Sequence, residues 1–275
     1  MYIKSRSKYP VEQANLIHDN PENFYTFGEL IGSGQFSHVK KVTHQQSGKV
    51  YAAKCFKFDE DTLKYAIREL DVMTKLPDHK GTPKLHQAFL VRKYLILIMD
   101  LVEGDTILNH FSKKSSITEK DVADVIQQLC EILEIVHSAG TVHCDIRPSN
   151  IRMENGTVKL LDYNTALPEG SVLDIIGGDT EVSAPEVLNF DPVSHGTEMW
   201  AVGVLAYTLT SGISPLFQEN ENSLIRAVSS VQYSFDNDED SFYGSSSDLI
   251  KDFIKKCLLR IPEMRMTVSK ALNYR

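Results

Sequence analysis

The chain has 275 residues, 42% of them hydrophobic, four cysteines and a formal net charge of -8. That length and hydrophobic share suffice for a sizeable core, as one large domain or two closely packed lobes, and exclude a chain disordered as a whole. The acidic balance disfavours a phosphate-backbone partner, so no nucleic acid is expected.

Cys55, Cys130, Cys144 and Cys257 lie far apart without paired metal spacing, which suits a reducing compartment better than a disulfide framework or a zinc site. The longest aliphatic run, Leu95 to Met99, is too short to span a bilayer, and the N-terminus lacks an apolar core of signal length. A cytoplasmic chain with no membrane partner is expected.

Residues 1–23 are polar, with Pro10 and Pro21 and no sustained period, and read as a linker or a segment ordered by docking. From Phe24, apolar and polar positions alternate around a glycine turn and a second turn at Gln46-Ser47-Gly48, which predicts three antiparallel strands. The period then changes. Leu63, Ala66, Ile67, Leu70 and Met73 share one helical face, and Tyr94 to Met99 supplies a further strand before Glu103-Gly104.

Beyond Gly104 the pattern is mostly helical. Val122, Val125, Ile126, Leu129, Ile132, Leu133 and Val136 form a stripe after a capping-box signal, Thr118 with Asp121. Trp200 to Leu209 is apolar all round and predicts a helix buried inside its lobe, and Leu249 to Leu258 predicts an amphipathic one. Asp236 to Asp240 reads as a solvated acidic loop. A small β-rich part followed by a large helical part is an α+β, two-lobed architecture, divided at 103/104.

The chemistry gathers between His137 and Asn164: a helix end, a loop with Asp145 and Asn150, a strand, a turn at Asn155-Gly156, and a second strand ending at Asp162. Upstream, Gly32 and Gly34 sit between two strands, where glycines let backbone N–H groups approach phosphates. Lys54 follows Val39 by fifteen residues, and Glu69 follows Lys54 by fifteen more. Each feature alone is more often structural than functional; their conjunction carries the weight.

His143-Cys144-Asp145 with Asn150, followed by Asp162-Tyr163-Asn164, resembles the protein-kinase catalytic loop and metal-binding aspartate. The resemblance extends to Ala52-Ala53-Lys54, Ala184-Pro185-Glu186, Met199-Trp200 and Arg265, and so covers about residues 24–275. His143 to Pro148, SGISPLF and the RMT ending look most like the calmodulin-kinase-type domains of giant muscle proteins, of the titin, twitchin and obscurin type.

The resemblance implies a bilobal kinase fold and, if the chain is active, ATP and magnesium as cofactors. Asp145 is then the base, Arg147 steadies the transferred group, and Asn150 and Asp162 hold magnesium. Gly32, Gly34, Val39, Ala52, Lys54, Glu69, Met99 and Leu101 would border the nucleotide. It also implies sarcomeric protein partners and a myofibrillar location.

Departures from the kinase pattern favour a scaffold that binds nucleotide poorly. Asp179 places a carboxylate near Asp145, and Glu198 replaces a buried Asp that braces the catalytic loop. Arg152 stands where kinases have an aliphatic floor beneath adenine, and Glu103 and Asp105 are placed to hold it there. Asn164 replaces a glycine and is expected to tolerate positive φ. The scaffold's partners are expected to dock on Leu216, Phe217 and Leu224. The rival reading is an active Ser/Thr kinase; a metabolic small-molecule kinase fits poorly with Ala184-Pro185-Glu186 and the long helical part after it.

Overall fold

The computed structural model describes residues 16–174, 180–235 and 246–274, so Asp179 and the acidic run Asp236 to Asp240 lie outside the described residues. Two compact units are present. One is built on the chain up to Glu103 together with Asp162–Thr165, the other on Gly104–Leu161 and the chain from Ala166.

The N-terminal unit holds strands β1 (Leu16–Ile17), β2 (Tyr25–Ser33), β3 (Ser37–His44), β4 (Val50–Lys57), helix α1 (Leu63–Lys75), β5 (Leu85–Val91) and β6 (Tyr94–Met99). The strands form one sheet in the order β1-β5-β6-β4-β3-β2, antiparallel except for β1 on β5. Side chains alternate across a pleated sheet, so cross-strand partners share a face. One face carries the core: Tyr25, Val42, Ala53, Cys55, Phe89, Ile96 and Ile98 are all buried together. Burying each of the larger ones contributes roughly 1.5–3 kcal/mol.

The opposite face carries the residues singled out above. Gly32 pairs with Val39, Val39 with Lys54, Lys54 with Leu97, and Ala52 with Met99. Two strands of this unit escaped the sequence reading. In β5 the apolar residues do not alternate cleanly, and β1 is two residues long; it sets Leu16 and Ile17 in the sheet, before the polar stretch gives way at Phe24.

The C-terminal unit follows with β7 (Asp105–Thr106), α2 (Ile107–Ser112), α3 (Glu119–Ser138), β8 (Thr141–Val142), β9 (Ile151–Glu154), β10 (Thr157–Leu160) and β11 (Leu167–Pro168). After them come α4 (Pro185–Leu188), α5 (His195–Ser211), α6 (Glu221–Ser230), α7 (Asp248–Cys257) and α8 (Val268–Leu272). Thr118 and Asp121 do form a capping box, and the whole predicted stripe of α3 is buried. In the β9–β10 hairpin, Asn155 and Gly156 both have positive φ, 50° and 78°, as a two-residue turn between right-twisted strands requires.

α5 is buried on nearly every side. It packs so closely on α7 that a Cβ on Gly203 would lie 2.6 Å from Cys257 Cβ, so only glycine fits there. Glu186, at the start of α4, forms a buried ion pair with Arg265.

The docking surface expected on this unit is not formed. Leu216 is 0% exposed and Leu224 8%, whereas Phe217 is 63% exposed. The first two belong to the core because their positions turn inward, so the three make no continuous patch. Among the described residues no helix is long and apolar enough to cross a membrane. A β-rich N-terminal sheet and a helical C-terminal part together make the expected α+β architecture.

Candidate functional site

Lys54 projects from the non-core face of β4 and is almost fully buried. Its Nζ hydrogen-bonds Glu69 Oε2, from the middle of α1, and donates to Asp162 Oδ1 at 2.8 Å. One cation thus serves two carboxylates. Burial favours the neutral lysine, but Glu69 and Asp162 outweigh it and raise the Lys54 pKa.

The surplus negative charge falls on Glu69. Burial, aided by repulsion from Asp162 and opposed by Lys54, pushes its pKa from 4.5 up to about 7. Asp162 has φ 69°, a left-handed conformation costly for a residue with Cβ, and it turns its carboxylate toward Lys54. Asn164 is not among the positive-φ residues, so the special backbone geometry sits two residues earlier than expected.

A pH dependence follows with a definite sign. Between pH 4.5 and about 7 the native chain binds a proton at Glu69 that the unfolded chain releases. The associated stability is fully present below pH 4.5 and is lost as pH rises through about 7. Its ceiling is about 3 kcal/mol. Melting temperatures measured from pH 5 to 8 should therefore fall more steeply for the parent than for Glu69→Gln, which carries no titrating group there. Parallel curves would refute the raised pKa.

Glycine-loop geometry completes this half. Gly34 N–H donates to Ser37 O at 2.8 Å, closing the turn between β2 and β3, and Gly32 lies beside Val39, 3.6 Å from where a Cβ would meet it. Ala52 and Met99 are buried side by side, and Leu101 follows half-buried. Apart from Glu69 on α1, the resemblance-derived nucleotide residues of this unit therefore share one sheet face or its rim.

In the C-terminal unit the catalytic-loop residues form a connected set. Asn150 Nδ2 donates to Asp145 Oδ2 at 2.6 Å and to Asp145 O at 3.0 Å. Arg147 Nε lies 3.2 Å from Asp145 Oδ1. The fully buried His143 donates from Nε2 to Leu161 O and accepts the Asp145 N–H at Nδ1, which fixes its tautomer. Beside Asp145 is a cavity of about 30 Å³ bordered by Cys144, Val182, Ala184, Val187 and Ala201.

Glu198 corrects the sequence reading. Its Oε1 accepts the His143 N–H at 2.6 Å and the Cys144 N–H at 3.3 Å, while Oε2 bonds His137 Nε2. The extra methylene is no geometric problem, because the second oxygen has its own partner. In the sequence His137 marked only the start of the site stretch and was given no role of its own; a histidine six positions before His143 was the available signal.

Arg152 is also held differently from expectation. It donates to the Gly104 carbonyl at 2.8 Å, while Glu103 pairs with Lys41 and Asp105 with Lys113. Hydrogen bonding to Lys113 lowers the Asp105 pKa, with Arg152 a smaller cause. Gly104 must be glycine, since a Cβ there would lie 2.2 Å from Met153 O.

Among the described residues no cluster of three or more His, Cys, Asp or Glu side chains is placed to hold a metal ion. Asp162 and Asn150 offer two oxygen donors, each in its own unit. Each is the hard oxygen type that magnesium takes, a cation that keeps most of its shell for water and phosphates. A buried, charged lysine, Lys54, is the group here that suits a phosphate-bearing cofactor.

Comparison with known proteins agrees with this geometry. The protein kinase domain family matches residues 25–275. The chain is 30% identical to death-associated protein kinase 2 of Homo sapiens over 267 residues, 92% of this chain and 71% of that protein. It is 32% identical to smooth-muscle myosin light chain kinase of Gallus gallus over 257 residues, 91% of this chain but 13% of that protein.

Among solved structures, the twitchin kinase fragment of C. elegans superposes with a TM-score of 0.85 at 29% identity, covering 100% of this chain and 61% of that one. The autoinhibited serine kinase domain of titin gives 0.82 at 28% identity, covering 93% and 80%. With nearly the whole chain matched in sequence and in fold, this chain belongs to the protein kinase domain family.

Proposed function

We propose that the chain is a Ser/Thr protein kinase that transfers the terminal phosphate of ATP to a protein hydroxyl. The observation that carries this reading is Lys54, buried and shared between Glu69 and Asp162. A lysine so held is charged and pre-aimed, which is what cradling nucleotide phosphates needs. Magnesium would neutralise phosphate charge, with Asp162 and Asn150 as its protein ligands.

Asp145 would accept the hydroxyl proton, kept in place by Asn150, and Arg147 would supply positive charge beside it. Val39, Ala52, Met99 and Leu101 would border the base. The likeness to myosin light chain kinase, twitchin and titin supports a cytoplasmic, myofibrillar setting with sarcomeric protein partners. Within that group, the His143 to Pro148 sequence supports assignment to the first kinase-like domain of an obscurin.

A second reading, a scaffold with weak nucleotide binding, is favoured by Arg152, a cation at the position expected to floor the adenine. Calorimetric titration with magnesium-ATP separates the two. The kinase reading expects micromolar affinity in the parent, less than about threefold changed by Arg152→Leu. It fails if the parent binds nothing at millimolar ATP and Arg152→Leu restores binding, which is the scaffold's signature.

A further inference from the structure

The tip of the glycine loop is fastened to the helix that carries Glu69. Phe36 stacks on Tyr65 with ring centroids 3.9 Å apart and planes 11° from parallel. Face-to-face stacks suffer from repulsion between ring quadrupoles, and cations near one ring relieve it. Here Lys64 Nζ and the Arg68 guanidinium lie 5.2 and 5.5 Å from the Tyr65 centroid.

Tyr65 is 3% exposed, yet its hydroxyl is buried without a hydrogen-bond partner among the described residues. What the site uses is therefore the ring face. Tyr65 also precedes Glu69 by four residues on α1, so both side chains leave the same side of the helix, one turn apart.

We propose that Tyr65 is a positioning residue: its stack on Phe36 couples the glycine loop to α1, so that the loop amides and the Glu69-bound Lys54 present to phosphates as one rigid unit. This rests on the nucleotide-binding reading above. The coupling acts at the phosphate end of a nucleotide and leaves the base untouched. Neither residue contacts the reacting atoms.

Two measurements on the intact chain test this. Hydrogen exchange at the loop amides, Gly34 in particular, needs no nucleotide; it should quicken at least threefold in Tyr65→Leu and in Phe36→Leu, and stay at the parent rate in Tyr65→Phe. Calorimetry with magnesium-ATP and, separately, adenosine should show ATP binding weakened roughly threefold to tenfold in the two leucine variants, with adenosine unchanged and Tyr65→Phe like the parent.

Unchanged loop exchange in both leucine variants overturns the coupling whatever the nucleotide data show. Equal weakening of ATP and adenosine also overturns it, since that marks general loosening. A parent that binds neither ligand refutes the nucleotide reading, and the exchange arm then decides the coupling alone. Phe36→Leu, at the half-buried loop tip, keeps the test sound should Tyr65→Leu fold poorly.

Discussion

Replacing Arg265 by Met should destabilise the C-terminal unit by about 3–5 kcal/mol, the range for breaking a buried ion pair by removing one partner. The guanidinium makes five hydrogen bonds. Nη1 donates to Glu186 Oε1 at 2.7 Å and to Gly196 O at 2.9 Å, and Nη2 donates to Glu186 Oε2 at 2.7 Å and to Arg260 O at 3.2 Å. Nε donates to Leu259 O at 2.7 Å, and the group lies over the Trp200 ring, 5.1 Å from its centroid. The side chain is 0% exposed.

Loss of the cation strands a buried carboxylate and three carbonyls at once. Arg265→Lys is the sharper test, because lysine keeps the charge but has three donors and no planar fork. It should still cost about 2 kcal/mol, seen in chemical or thermal unfolding. A lysine variant as stable as the parent would mean that charge alone, not the bidentate geometry, secures the end of α4.

Both residues were legible in the sequence because they belong to the matched motif pattern. The same holds for Lys54, Glu69 and Asp162, and for α3, whose apolar stripe and capping box are local signals. Legibility failed wherever partners are remote and carry no pattern of their own. Glu198 looked like a residue too long for its place, because nothing in the chain announces that His137, 61 positions away, takes its second oxygen.

Arg152 itself was legible as a departure, because its position after Asn150 is fixed by the motif spacing. The Gly104 carbonyl that it bonds was not foreseen, because backbone acceptors are invisible in sequence. Leu216 and Leu224 were misjudged for a related reason. Apolar residues around a polar loop have the same pattern whether they turn inward or outward, and only packing decides.

Glu198 supports the second large prediction. Its Oε1 holds two successive amides, of His143 and Cys144, and Cys144 sits at φ 65°, a conformation that needs support from its surroundings. His143 in turn accepts the Asp145 N–H, so the position of Asp145, the proposed base, is set through this brace. Glu198→Ala leaves two buried donors and His137 without their acceptor. At about 1–3 kcal/mol for each unsatisfied group, the loss should reach about 3–5 kcal/mol. The proposed phosphate transfer should fall about 100-fold as Asp145 shifts.

Glu198→Asp discriminates between a brace and a mere charge. Aspartate is shorter by one methylene, about 1.5 Å, so from the same α5 backbone it reaches the loop amides or His137 but not both. We expect about 1–2 kcal/mol of lost stability. We also expect His137→Leu to be costly in the parent and nearly free in the Glu198→Asp background, a coupling that a double-mutant cycle reads directly. An aspartate variant at least as stable and active as the parent, with His137→Leu equally costly in both backgrounds, would show that the second arm contributes nothing.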